Sequence, residues 1–112
     1  MHLSPELKRC IEHCNHCYET CLHSASTHCL EMGGEHARPE HIKLMLDCAD
    51  LCRTSADFML RHSPRHEKIC GVCAEICEAC ADDCERVGGM EECVKACRQC
   101  AESCRQMSAA HA

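Results

Sequence analysis

Cys73-Ala-Glu-Ile-Cys77-Glu-Ala-Cys80-Ala-Asp-Asp-Cys84 repeats cysteine at intervals of four, three and four. Steps alternating between three and four trace one face of an α-helix, whereas a strand would need steps of two. The same spacing recurs at Cys10-Cys14-Cys17-Cys21 and at Cys93-Cys97-Cys100-Cys104. Cys48-Cys52 carries one such step, and Cys70 extends the third segment by a step of three. Residues lying between, such as Asp82, Asp83, Glu91, Glu92, Lys95 and Arg98, are charged, as a solvated outer face requires. The repeat therefore predicts helices with thiols inside and charge outside.

Punctuation divides the chain into four such segments. Ser4-Pro5 and Ser63-Pro64 each place an N-cap serine before a proline, and Pro39 can open another helix. Gly33-Gly34 and Gly88-Gly89 are stop signals. Helices are expected at about 5–31, 39–62, 64–87 and 90–108, each about 30–40 Å long. Short connections favour an all-α, antiparallel up-down-up-down four-helix bundle, with residues 1–112 forming one domain.

Composition fixes what fills that bundle. Cysteine supplies 16 of the 112 residues, whereas Leu, Ile, Val and Phe together also number only 16. That is too little aliphatic material for an ordinary core, so the thiols must be the core. Tyr18 and Phe58 are the only large aromatics and the net charge is −6, which argues against nucleic-acid binding. The first residues lack a basic segment followed by an apolar one, and no run approaches a membrane span. A cytoplasmic location, where thiols stay reduced, is the expectation.

Following the stripe beyond the cysteines sharpens the reading. Helix 1 gives Leu3, Leu7, the four cysteines, Ser24 and His28; helix 2 gives His41, Met45, Cys48, Cys52, Ser55, Met59 and His62. Helix 3 runs His66, Cys70, Cys73, Cys77, Cys80, Cys84 and Val87; helix 4 runs Met90, the last four cysteines, Met107 and His111. Of these 29 inward positions, 24 are Cys, His or Met. An inert core would place Leu, Ile and Ala there. Single residues have plainer readings: Met45 or Met107 alone is ordinary filler, and His62 or His111 complements a helix C-terminus. Cys29 stands one position off the stripe and reads by itself as a small buried residue.

Thiolates and thioethers are soft ligands that select Cu(I), Zn(II) or iron–sulfur clusters. Zinc sites want four converging ligands in paired short motifs, and iron–sulfur motifs gather cysteines on loops. Continuous lines of thiols instead suit many Cu(I) ions of low coordination number. Thiols at i and i+4 stand one above the other and can chelate one ion from a single helix. Disulfide staples would need only a few pairs. Catalysis would need one activated thiol beside a histidine, and nothing singles one out, so the chain does not read as an enzyme.

Cys48-Ala-Asp-Leu-Cys52, Cys73-Ala-Glu-Ile-Cys77-Glu-Ala-Cys80 and Cys97-Arg-Gln-Cys100-Ala-Glu-Ser-Cys104 resemble the cytosolic copper storage proteins, the Cys-rich four-helix-bundle copper-binding family. The resemblance runs from about Cys10 to Met107. It implies a bundle storing many Cu(I) ions along its interior, usually assembled as a tetramer; a copper chaperone is a further candidate partner. The resemblance makes ligands of Cys10, Cys14, Cys17, Cys21, Cys48, Cys52, Cys70, Cys73, Cys77, Cys80, Cys84, Cys93, Cys97, Cys100 and Cys104, with Cys29, His41 and Met90 as further candidates. His41 departs from the family pattern, which has cysteine seven residues before the position of Cys48. A metallothionein-like zinc or mixed-metal buffer is the alternative. Copper is expected to enter at the end holding Ser24, His28, His41, Met45, Val87 and Met90, because Leu3 and Leu7 can plug the other.

Overall fold

The computed structural model describes residues 3–109; His111 lies outside them. Ser4 is extended, and its hydroxyl accepts the Leu7 N–H at 3.1 Å, so that Pro5 opens helix α1 (Pro5–Ser26) with its missing donor harmless. The expected single helix over 5–31 is instead two. The hydroxyls of Ser26 and Thr27 donate back to the carbonyls of Leu22 at 2.7 Å and His23 at 2.6 Å. Such back-bonding competes with the helical ladder. Thr27 leaves the helical region (φ −124°, ψ −79°), and the chain restarts as the short α2 (His28–Met32). A 3₁₀ turn, Gly34–Ala37, follows.

Three long helices complete the fold: α3 (Pro39–Leu60), α4 (His66–Val87) and α5 (Glu91–Ala109). Helix α4 starts two residues later than the Ser63-Pro64 signal suggests. Ser63 caps only a local turn, accepting the Arg65 N–H at 3.2 Å, after His62 has taken a left-handed φ of 53°. Gly33 (φ 68°, ψ −164°) ends α2 and Gly88 (φ 83°, ψ 158°) ends α4. Both lie in a backbone region open essentially to glycine alone.

The long helices pack in a ring, α1 on α3, α3 on α4, α4 on α5 and α5 back on α1. The bundle measures 45 × 23 × 19 Å. Its axis holds all sixteen cysteines, each buried, together with Met45 and Met59. Flanking them is a second tier of buried alanines, including Ala49, Ala56, Ala74, Ala81, Ala96 and Ala101. With a side chain of one carbon at those positions, neighbouring helices approach closely enough for thiols to meet. Exposed ion pairs such as Arg105–Glu78 (2.7 Å) and Arg98–Asp82 (3.0 Å) ornament the outside and contribute little to stability. Among the described residues no helix is long and apolar enough to cross a membrane.

Neither Gly33 nor Gly88 has a neighbour within 4 Å of where a Cβ would stand, so replacement meets no clash, only backbone strain. Gly33→Ala and Gly88→Ala should each destabilise the metal-free protein by about 1–3 kcal/mol. Urea midpoints at constant slope provide the measurement.

Candidate metal centre

Helical phase brings the thiols of all four long helices to the axis, where they form an unbroken chain of sulfur contacts. At the Leu3–Leu7 end, Cys10 lies 3.8 Å from Cys104, which is 3.6 Å from Cys14. Cys14 and Cys52 each stand 3.6 Å from Cys100. Cys77 continues the line, 3.5 Å from Cys52 and 3.6 Å from Cys48. Cys48 meets Cys17 at 3.8 Å, and Cys97 closes on Cys21 at 3.6 Å. Partners at i and i+4 stand as helical stacking demands: Cys17–Cys21 at 3.9 Å, Cys73–Cys77 at 3.8 Å and Cys100–Cys104 at 4.0 Å.

Four groups converge tightly enough to hold an ion. They are Cys14/Cys73/Cys100/Cys104, Cys17/Cys21/Cys48/Cys97, Cys17/Cys52/Cys77/Cys100 and Cys10/Cys70/Cys104. Cys17, Cys100 and Cys104 each belong to two groups. The groups overlap, so the cavity is one continuous donor surface rather than a set of closed tetrahedral cages.

Beyond these groups the buried stripes carry Cys80, Cys84 and Cys93. Thiol hydrogen bonds, first that of Cys80 and then that of Cys93, draw the Cys84 thiol down to about 4. Cys80 is pushed upward by Cys21, Cys48 and Cys84, and Cys93 chiefly by Cys84. A thiolate here is therefore stabilised by its neighbours' S–H groups, and incoming metal releases the shared protons. Cys93 also donates to the Ser24 hydroxyl at 3.1 Å.

The other expected ligands form a separate cluster at the end of the tube. The break at Thr27 resets the helical phase, turning Cys29 inward and leaving His28 exposed. The stripe drawn through a continuous first helix therefore fails at these two residues. Cys29 lies 3.5 Å from His41 Nε2 and 3.8 Å from the thioether sulfurs of Met45 and Met90. Burial pushes its thiol up to about 11. On its far side, His41 Nδ1 pairs with Asp83 Oδ2 at 2.7 Å. A carboxylate on the second ring nitrogen is the usual way to orient a histidine toward a metal.

Asp83 was expected on the solvated face, yet its side chain is only 22 % exposed. Burial opposes its charge, but hydrogen bonds from His41 and Arg86 hold the carboxyl below the usual range. Arg86 also reaches Glu35 at 2.8 Å, and Glu35 accepts from Arg38 at 3.1 Å. This series of ion pairs ties the 3₁₀ turn to α4. His36, whose Nε2 donates to the Gly88 carbonyl at 3.0 Å, fastens the same turn to the α4–α5 connection. The stripe places His41, Met45 and Met90 at one end, with Cys29 a candidate ligand, but the carboxylate carries no sequence signal.

At the opposite end α3 keeps the 4, 3, 4 spacing but with Ser55 and Met59 as its later members. Both are fully buried, and the Ser55 hydroxyl has no partner among the described side chains. Leu3 and Leu7 pack against the core there, as expected of a plug.

The sequence model of the copper storage protein family matches residues 3–109. The uncharacterised cysteine-rich protein YhjQ of Bacillus subtilis (strain 168) is 41% identical over 66 residues, 59% of this chain, and the match spans 60% of that relative's length. Among solved structures, the Nitrosospira multiformis protein Nmul_A1745 is 58% identical with a TM-score of 0.92, covering 94% of this chain and 96% of its own. The Cu(I)-bound copper storage protein BsCsp3 is 39% identical with a TM-score of 0.85, over 92% of this chain and 98% of its own. A cytosolic copper storage protein from Streptomyces lividans, solved with five coppers, is 30% identical with a TM-score of 0.79, over 93% and 92%. A family match across residues 3–109, together with copper-loaded structures of the same fold, makes this chain a member of the copper storage protein family.

Proposed function

We propose that the chain sequesters many Cu(I) ions as cargo along its axis, with the fifteen stripe cysteines and Cys29 as thiolate ligands and His41 and Met90 as mixed donors at one end. The unbroken series of sulfur contacts from Cys10 to Cys21 carries this reading. Cu(I) is soft and accepts few ligands, so neighbouring ions can share a thiolate where thiols are continuous. Each Cu(I) that displaces a thiol proton leaves the net charge unchanged. Dense filling therefore builds up no buried charge, which would otherwise be prohibitive.

The relative from Streptomyces lividans is described as cytosolic, and the same compartment suits sixteen reduced thiols here. Assembly as a homotetramer and supply by a copper chaperone belong to the same reading. Cys29, the thiol that contacts a histidine among the described residues, is fully buried, and we assign no catalytic role. Zinc buffering is the second reading, favoured by the three four-thiol groups.

Titration against a Cu(I) chelator separates the two. Copper storage predicts saturation near one ion per cysteine, with sixteen thiols available. Saturation at about four ions per chain, with zinc displacing copper in competition, would mark tetrahedral zinc sites. Because Cys100 serves two converging groups and Cys70 one, Cys100→Ser should cost more copper than Cys70→Ser in the same titration. The reduced, metal-free protein should already give a helical circular dichroism spectrum, since its helices rest on caps and thiol packing. Loading should then raise its melting temperature, because copper bound only by the folded state stabilises it.

A further inference from the structure

Fifteen of the sixteen cysteines have no solvent exposure; Cys93, at 2 %, is the exception. It lines a cleft of about 200 Å³ with Ser24, His28, Met90, Glu91 and Glu92. That cleft shares Ser24 and Glu92 with a second, of about 400 Å³, lined also by His16, Glu19 and His23. Together they form one trough along the seam between α1 and α5, and no Lys or Arg lines either part. Of the mixed cluster at the end of the bundle, Cys29, His41 and Met45 are buried away from the surface, and only Met90 reaches this cleft. The 3₁₀ turn beside it is fastened down by His36 and Glu35. At the opposite end Cys10, Cys70 and Cys104 are wholly buried.

Resting on the storage reading, we infer that weakly ligated Cu(I) cations enter through the side of the bundle, along this trough, and pass into the core at Cys93. Imidazoles of His16, His23 and His28 supply exchangeable donors, and Glu19, Glu91 and Glu92 attract a cation. At Cys93 the Cu–S bond forms as the thiol proton leaves to water in the open cleft. Onward transfer is a ligand exchange: the ion's bond to Cys93 breaks as one to the Cys84 thiolate forms, and Cys93 takes a proton back from water in the cleft. No electron moves. From Cys84 the ion passes along the α4 stripe by way of Cys80 toward the Cys17/Cys21/Cys48/Cys97 group. The route lies at the end expected from the sequence, but through its flank rather than along its axis.

Two measurements test this. Brief iodoacetamide treatment of the reduced, metal-free protein, read by mass spectrometry, should label Cys93 first; first labelling at another thiol would overturn the route. Stopped-flow uptake from tetrakis(acetonitrile)copper(I) should slow by about tenfold or more in Cys93→Ser. Added salt should slow uptake by the parent protein, since it screens the acidic rim. A Cys93→Ser rate within about twofold of the parent, with Cys29→Ser slowed instead, would overturn the route in favour of axial passage. Should Cys93→Ser fail to fold, the His16→Ala/His23→Ala/His28→Ala variant, altered only at exposed residues, carries the test: slower uptake supports the trough and an unchanged rate overturns it. Equilibrium capacity distinguishes the two levels of failure. Normal capacity with unaltered rates sinks only the route, whereas a parent protein that takes up no copper sinks the storage reading with it.

Discussion

Sulfur must touch sulfur at 3.5–4.0 Å along the bundle axis, and most of the architecture follows from that contact. Thiols are short, so helices bearing them have to approach more closely than leucine-lined helices do. The buried alanines beside the stripe permit that approach, and residues such as Ala74 and Ala81 each stand one position from a cysteine. Such a core is weakly hydrophobic for its volume, because a free thiol buries little apolar area. Stability then rests on helix ends and turns more than usual, which is where Ser4, Gly33 and Gly88 stand.

The ends differ because they are built from different chemistry. One is closed by α2 and the 3₁₀ turn, which hold Cys29, His41, Met45 and Met90 together. The hydrogen bond from His41 to Asp83 lets an imidazole sit in the interior without an unsatisfied nitrogen. Asp83 in turn remains charged through Arg86, itself shared with Glu35. The other end is closed by Leu3, Leu7 and Met59, and its hydroxyl at Ser55 lacks such support.

The bundle was legible because a 4, 3, 4 interval has one structural meaning, and the charged residues between the cysteines agree with it. The fifteen cysteines on that pattern are buried as it requires. Three features were not legible. Ser26 and Thr27 interrupt the first helix through hydroxyl bonds to carbonyls one turn back, a competition that periodicity does not register. The interruption moved Cys29 inward and His28 outward. Ser63-Pro64 resembles Ser4-Pro5 in sequence, yet the left-handed His62 before it diverts the serine into a turn. Asp83 looked like its neighbour Asp82, and only tertiary packing gives one a buried histidine and the other an exposed arginine.

Because Cys17, Cys100 and Cys104 each serve two converging groups, an ion placed in one group changes the ligands left to the next. Loading is then a problem of nearest neighbours on a one-dimensional lattice, not of independent binding to separate sites. A partly filled molecule is a population of arrangements with the same number of ions and different positions. Its affinity for the next ion has no single value, and an average constant fitted to such a protein describes the ensemble rather than any site within it.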